Sequence, residues 1–228
     1  MYYDLTSCSR KDFSLNFCTL KEASTAEVVE KKSRFIANSC HIESKEEAEE
    51  KINLIKKKYY DAKHNCFAFS IVDKDGNLLE KSSDDGEPSG TAGAPILNVI
   101  RKNNLNNVLI VVTRYFGGIL LGTGGLTRAY SNAALASIEN GKIIEVENGL
   151  QASIEIEYSE NEKFKYYCEK NNIKIVETEY SENIIQKIEL NEEEYNKLIS
   201  KNMEINRQLP FKIKQIGIIC RKFVEKAQ

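Results

Sequence analysis

The chain has 228 residues, 41% of them hydrophobic and 29% charged, which suits one large or two small globular domains. Its 32 basic and 34 acidic side chains give a net charge of −2, which excludes a uniformly basic surface for nucleic acid. No apolar run approaches the roughly 18 residues of a membrane span, and the N-terminal MYYDLTSCSRKDF has no apolar core after a basic start. We therefore expect a cytoplasmic protein that does not enter a membrane.

The cysteines and histidines show no metal-binding pattern. The six cysteines are scattered among apolar neighbours without a CxxC pair, and His41 and His64 have no partners at ligand spacing. This distribution argues against a zinc site and against a disulfide framework. We expect reduced thiols, no structural metal and no cofactor.

The first part of the chain mixes strand and helix patterns. Predicted in chain order are one or two strands within 25–42, a helix that begins at Ser44 and ends at Lys56–Lys58, a strand at 66–72, a hairpin turn at 74–77, a short helix at 95–100, a strand at 107–113 and a helix at 125–139. The run NVLIVVT is apolar on both faces, which is typical of a central strand covered on both sides.

Beyond Gly149 the composition changes, since glycine nearly vanishes and glutamate and lysine become frequent. The patterns there predict a strand at 151–158, a helix at 160–171, strands at 173–180 and 184–190, a helix at 192–205 and a strand at 211–220. The order βαββαβ is that of a ferredoxin-like domain. We place the domain boundary near residue 147.

Glycine is concentrated on both sides of the predicted central strand. Residues 84–93 read DDGEPSGTAG and residues 114–128 read RYFGGILLGTGGLTR, and together they hold eight of the 12 glycines. Glycine loses the most backbone entropy on folding, so such a concentration favours positions of positive φ or close approach to a ligand. Turn formation alone is the alternative explanation.

Several strings in this region resemble one known family. They are KKSRFIA (31–37), DAKHNCFAF (61–69), SDDGEPSGTAG (83–93), NVLIVVTRYFGGILLG (107–122) and GGLTRAYSNA (124–133). In order and spacing they resemble the bacterial branch of the IMPACT/YigZ family over roughly residues 19–146, and the tail resembles the family's small C-terminal domain. The first 18 residues precede the family's usual start.

The resemblance implies a two-domain α+β fold. Residues 19–147 would form a ribosomal-protein-like α/β domain of the IMPACT N-terminal type, and residues 148–228 a ferredoxin-like domain resembling domain IV of elongation factor G. Both of these folds contact RNA in their relatives. Eukaryotic members are linked to translational control through competition for a large activator of a kinase. The resemblance thus implies RNA, the ribosome or a translation-regulating protein as partner.

The string GTGGLTR places a glycine-rich turn at the start of a helix, where free N–H groups and the helix dipole suit an anion. Tight helix–strand packing is the alternative. The candidate RNA- or phosphate-binding residues are Lys32, Arg34, Arg114, Tyr115, Gly122, Thr123, Gly124, Gly125, Thr127 and Arg128. The rings of Tyr115 and Phe116 would stack on bases if exposed, or pack in the core if not.

A second hypothesis is an enzyme or binder that acts on a phosphorylated small molecule or nucleotide. Asp84, Asp85 and Glu87 would hold Mg²⁺, since hard cations prefer clustered carboxylates. The favoured alternative is that Asp85 and Gly86 form a turn and that Glu87 is solvated. A contact between Asp61 and His64 would orient a base. The sequence assigns no catalytic residue, because it contains no recognisable nucleophile elbow or carboxylate pair. A protein-interaction module is the third hypothesis.

The two glycine-rich segments are expected to converge on one face of the first domain. Because they flank opposite ends of the strand at 107–113, we expect the segment DDGEPSGTAG to fold back across the sheet edge to reach the other one.

Overall fold

A computed structural model describes residues 17–73, 76–203 and 209–225 of the chain. These residues form two five-stranded sheets with helices packed against them, so the predicted two-domain α+β architecture is confirmed. Lys74 and Asp75, in the predicted hairpin turn, lie outside the described residues, as do residues 1–16 before the first strand. Within the described ranges, no helix is long and apolar enough to cross a membrane.

The secondary structure follows the predicted order closely. The strands are β1 (Phe17–Leu20), β2 (Ser24–Glu30), β3 (Ser33–His41), β4 (His64–Val72), β5 (Leu78–Ser83), β6 (Val108–Tyr115), β7 (Ile143–Ile156), β8 (Lys174–Tyr180), β9 (Ile184–Asn191) and β10 (Ile213–Glu225). The helices are α1 (Lys45–Lys58), α2 (Gly93–Lys102), α3 (Gly122–Glu139), α4 (Asn161–Lys170) and α5 (Glu192–Met203).

The first sheet has the strand order β2-β3-β6-β4-β5, and every neighbouring pair is antiparallel. The central strand is β6, whose residues from Val108 to Arg114 are all buried, as its apolar sequence predicts. Helices α2 and α3 cover one face of the sheet, and α1 covers the other. Successive β6 side chains therefore enter two different cores.

Helix α3 lies along β3 and runs in the same direction. The carbonyl oxygen of Ser137 accepts a hydrogen bond from Ser39 near the end of β3, and the Tyr130 ring packs edge-on against Phe35 near its beginning, at 5.1 Å. Buried alanines on α3 allow this close packing. The first turn of α3 therefore lies at the end of the domain where β2 turns into β3.

The second sheet has the order β8-β9-β7-β10, which is the ferredoxin-like arrangement expected for βαββαβ. Its strands bury Ala152, Ile154 and Ile188 against α4 and α5. One difference from the prediction is that β7 begins at Ile143, eight residues before the expected 151. The reason is that its first four residues, 143–146, pair with β1, which supplies a non-local partner.

Strand β1 joins the two sheets. It pairs with β7, and the buried Thr19 side chain also contacts His41 at 2.8 Å and the carbonyl oxygen of Asn107. Phe17, with Val72 and Val146, forms a small apolar cluster at this junction. The limits of 19–147 and 148–228 stay a prediction.

Gly149 tests the packing of the second sheet. A Cβ atom there would lie 2.5 Å from a methyl carbon of Val224 and 2.7 Å from the carbonyl oxygen of Leu190. We expect Gly149→Ala to lower the free energy of unfolding by about 1–3 kcal/mol, because overpacking displaces neighbours.

Gly217, in the neighbouring strand β10, is the matched control, since a Cβ atom there would meet nothing within 4 Å. Gly217→Ala should leave stability within about 0.5 kcal/mol of the parent. Urea denaturation of both variants gives the measurement, and equal losses would contradict the packing described for β7.

Candidate functional site

The two glycine-rich segments meet at one end of the first domain. Strands β5 and β6 are both antiparallel to β4, which places the end of β5 at Ser83 and the end of β6 at Tyr115 on the same side. The contact is direct, since Arg114 donates a hydrogen bond to Glu87 at 2.6 Å. The expected convergence is present, but the expected fold-back across the sheet edge was wrong. Antiparallel strand order alone accounts for the convergence of the two segments.

We call this region the glycine end and define it as residues 84–93, residues 114–128 and the turn at Lys31–Lys32. It contains a buried part, in which charged groups bind one another, and an exposed part at the start of α3.

A buried ion pair lies under the glycine end. Arg114 and Glu87 have side chains only 8% and 3% exposed. The Tyr130 hydroxyl, also buried, donates to the same carboxylate at 2.8 Å. The predicted role of Arg114 in contacting phosphate is therefore corrected, because its guanidinium lies inside the domain. Glu87, predicted as a Mg²⁺ ligand, neutralises that guanidinium instead.

Aromatic rings complete the surroundings of Arg114. Its guanidinium carbon lies 5.5 Å from the Phe35 ring centroid and 5.6 Å from that of Phe116, which are distances of a cation–π contact. Burial raises the pKa of Tyr130, and burial raises the pKa of the Cys66 thiol next to it to about 12. Both groups stay protonated at neutral pH, so the tyrosine remains a hydrogen-bond donor to Glu87.

Asp84 organises the first glycine-rich segment. Its carboxylate accepts hydrogen bonds from the backbone N–H groups of Gly90, Ala92 and Gly93 at 2.8–3.0 Å. Burial would raise the pKa of Asp84, but these three donors together lower it below its ordinary value. Asp84 thus closes the start of α2 and is not available as the Mg²⁺ ligand that the second hypothesis requires.

Asp85 and His64, also predicted for the enzyme site, have partners of their own. Asp85 accepts from Lys56 at 2.8 Å and from the backbone N–H of Asn65. The Nδ1 atom of His64 lies 3.0 Å from the carbonyl oxygen of Asp85, whereas Asp61 accepts a hydrogen bond from Tyr115. Across the described ranges, no group of three His, Cys, Asp or Glu side chains is placed to hold a metal ion.

Asp61, from the predicted enzyme site, bonds to Tyr115, which belongs to the predicted RNA-binding residues. It accepts a hydrogen bond from the Tyr115 hydroxyl at 2.7 Å, and this bond, with burial, raises the pKa of Tyr115 to about 12. Arg34 lies 5.8 Å from the Tyr115 ring and forms a two-point ion pair with Glu27. Arg34 and Tyr115 therefore lie together on the α1 side of the sheet, each with a partner.

The start of α3 is the exposed part of the glycine end. Gly122, Thr123 and Gly124 are exposed, the preceding Leu121 provides no side-chain cap, and the first turn contains no acidic residue. Arg128 is exposed one turn later, while Gly125 and Thr127 are half-buried. Among the described residues, the first N–H groups of α3 therefore lack a side-chain acceptor such as the one that Asp84 supplies to α2.

Glycines in this region have two different roles. A Cβ atom at Gly117 would lie 2.0 Å from the backbone of Lys32, so this glycine allows the loop after β6 to pack on the β2–β3 turn. Gly122 has a φ of +68°, and a Cβ atom there or at Gly124 would meet nothing within 4 Å. Packing explains Gly117 but does not explain the open space at the start of α3.

Two lysines form the turn between β2 and β3. Glu30 pairs with Ser33, so Lys31 and Lys32 make a two-residue hairpin loop, and their φ angles are +44° and +65°. This left-handed conformation suits Asn and Gly and costs other residues roughly 1–2 kcal/mol each. Both side chains are exposed. The turn thus presents two cations from a strained backbone.

Sequence reasoning missed three residues that lie in or next to the glycine end. Lys31 was not predicted, because nothing in a Lys–Lys pair indicates a turn of positive φ. Tyr130 lies in an alanine-rich helix, and Cys66 lies in an apolar strand, so neither showed that it would join the network around Glu87. Tertiary contacts between segments distant in the sequence bring Cys66, Tyr130 and Glu87 together.

Asp84→Asn tests the closure of the first glycine-rich segment. We expect the free energy of unfolding to fall by about 1.5–3 kcal/mol at neutral pH, because charge-assisted bonds to backbone donors are replaced. The folded-state pKa of Asp84 is lowered, so its stabilisation is present above the unfolded pKa of about 3.9 and is lost as pH falls through the folded value.

Urea titrations at several pH values should show the gap between parent and Asp84→Asn closing in acid. The control Asp61→Asn, at an exposed carboxylate, should cost no more than about 1 kcal/mol. A gap that does not depend on pH would contradict the role given to the charge.

Arg114→Met tests the buried ion pair. The change leaves the Glu87 carboxylate buried without its cation, so we expect a loss of about 3–5 kcal/mol in the free energy of unfolding. The double variant Glu87→Gln/Arg114→Met removes both charges and should be more stable than Arg114→Met alone. Strictly additive effects in this double-mutant cycle would show that the two residues do not interact.

Comparison with known proteins gives the family of the chain. Residues 31–138 match the Impact N-terminal domain, and residues 154–201 match a domain of unknown function, DUF1949. The IMPACT family member YvyE of Bacillus subtilis is 41% identical over 176 residues, which cover 68% of this chain and 80% of that protein.

Two solved structures are also similar. The crystal structure of a hypothetical protein has a TM-score of 0.58 at 24% identity and covers 93% of this chain and 98% of its own, which shows the shared fold. The structure of the two-domain translational regulator Yih1 is 29% identical, with a TM-score of 0.38 and coverage of 53% and 48%. The family match spans the glycine end, and by its sequence and its relatives the chain belongs to the IMPACT family.

Proposed function

We propose that this protein acts in the cytoplasm as a translation-associated regulator that binds RNA or the ribosome through the glycine end. The observation that carries the proposal is the exposed start of α3, which has neither a side-chain cap nor an acidic residue and lies at the same end as the Lys31–Lys32 turn. Both features favour an anion, and RNA is the polyanion expected as a partner from the family resemblance.

The start of α3 suits a phosphate group. Its N–H groups and the positive end of the helix dipole favour negative charge, and the open space at Gly122 and Gly124 lets a ligand approach the backbone. Arg128 adds an exposed guanidinium on the same helix. Phosphate contacts of this kind set position and affinity without reading a base sequence.

The strain at Lys31 and Lys32 supports a role for this turn beyond connecting two strands. Backbone in sparsely populated conformations persists where the surrounding structure holds it, and such positions are common at binding sites. Here Ser33 accepts a hydrogen bond from the N–H of Gly117 at 3.1 Å, which fixes the turn against the loop after β6. The backbone that carries the two lysines is thereby fixed before any ligand arrives.

The second domain contributes little to this proposal. The second sheet has an open face on the side opposite its core. Charged residues of the paired strands on this face include Glu155, Glu177, Glu179, Glu189, Lys174 and Lys187. RNA-binding sheets of this topology use exposed aromatic rings, and the described residues of this face include none. We therefore place the RNA contact on the first domain.

The Mg²⁺-dependent hypothesis has no comparable support. Its three carboxylates each bond to a different group: Asp84 to the α2 backbone, Asp85 to Lys56, and Glu87 to Arg114.

The variant Lys31→Asn/Lys32→Gly tests the proposal without damaging the fold. Asn–Gly is the preferred pair for a hairpin turn with two positive φ angles, so stability should be unchanged or rise by about 1 kcal/mol. Both cations are removed, so RNA affinity should fall. The salt dependence of log affinity should become shallower by about 0.7–0.9 for each phosphate that is no longer neutralised.

The control Lys102→Gln/Lys142→Gln removes two exposed cations from the opposite end of the domain and should bind like the parent. Gel shift with a labelled RNA and co-sedimentation with ribosomes provide the measurements. Failure of the parent to bind either ligand at low salt, or equal binding by both double variants, would overturn the proposal.

A further inference from the structure

Phe116 has an unusual position at the glycine end. It is the first residue after β6 and is 56% exposed, although a phenylalanine ring gains stability from burial. The Arg114 guanidinium lies against its ring, 5.6 Å from the centroid, and Arg114 is itself held by Glu87. The ring is therefore supported from inside the domain while more than half of the residue faces solvent.

The neighbouring Tyr115 is arranged differently. Successive side chains of a strand point to opposite faces, so Tyr115 lies on the α1 side of the sheet and Phe116 on the α3 side. The Tyr115 hydroxyl is bonded to Asp61, and its ring lies beside Arg34. Of these two adjacent rings, Phe116 is the exposed one on the side where α3 begins.

Its surroundings favour a flat ligand that carries negative charge. Gly118 and Gly124 follow the ring in sequence, and a Cβ atom at either would meet nothing within 4 Å, so the backbone leaves room for a broad group. Gly117, next to the ring, packs on the Lys31–Lys32 turn, which brings two cations to the same loop. A π face at the same end of the domain as cations and accessible N–H groups matches a nucleotide with an unpaired base.

We propose that the RNA ligand is single-stranded where it meets the glycine end and that an unpaired base stacks on Phe116. This inference rests on the proposed function, since it names the form of RNA that the same site takes. In a duplex the bases are stacked on one another and present only groove edges and backbone to a protein. A stacked base also needs no specific hydrogen bond, so the contact tolerates different sequences.

Binding of three labelled ligands tests the proposal: an oligouridylate, an abasic ribose–phosphate chain of equal length and an RNA duplex. Phe116→Ala should weaken oligouridylate binding by about 5- to 160-fold, the range expected when one base stack is removed, and should leave binding of the abasic chain unchanged. Phe116→Trp should retain the parent's affinity. Leu120→Ala is the matched control, because Leu120 is 83% exposed in the same loop and has no π face.

The outcomes separate this inference from the proposed function. Equal affinity for the duplex and the oligouridylate, with no effect of Phe116→Ala, would overturn stacking while RNA binding stands. A loss as large for Leu120→Ala as for Phe116→Ala would also overturn stacking, because it indicates a general apolar contact. Absence of binding to all three ligands and to ribosomes would overturn the proposed function itself. Thermal melts of each variant confirm that it is folded.

Discussion

The buried ion pair between Arg114 and Glu87 is the interaction on which the glycine end depends. It joins the last residues of the central strand to the first glycine-rich segment, and the hydrogen bond from Tyr130 connects the same carboxylate to α3. A charge is costly to bury unless it is paired and hydrogen-bonded, so each of these groups requires the others. Two loops and a helix are thereby held in one arrangement, with Phe116 resting on the guanidinium.

The two helices that begin in glycine-rich segments differ in how their first turns are satisfied. Asp84 accepts from the backbone at the start of α2, so that segment is a closed structural unit. In the part of the chain that the structure describes, the start of α3 has no equivalent carboxylate, and its glycines border open space. Glycine therefore serves packing at the start of α2, where a Cβ atom at Gly93 would lie 2.7 Å from the backbone of Ser83, and leaves open space at the start of α3.

The two domains differ in surface chemistry as well as in fold. The first domain combines exposed cations, accessible backbone and an exposed ring at one end. The second domain has an open sheet face that carries more glutamates than lysines, paired across the strands, as in Lys187 with Glu177 and Glu179. We therefore assign the proposed RNA contact to the first domain.

The sequence by itself determined the element order, the central strand and the ferredoxin-like tail, because hydrophobic periodicity and turn residues act locally. It missed the early start of β7 at Ile143, since the partner strand β1 lies far away in the chain. It also identified the glycine-rich segments but misassigned Arg114, Asp84 and Glu87. The side chains of these residues could bind either a ligand or one another, and only the tertiary structure decided between the two. The physical reason is that antiparallel strand order brings distant residues within hydrogen-bond distance and removes them from water.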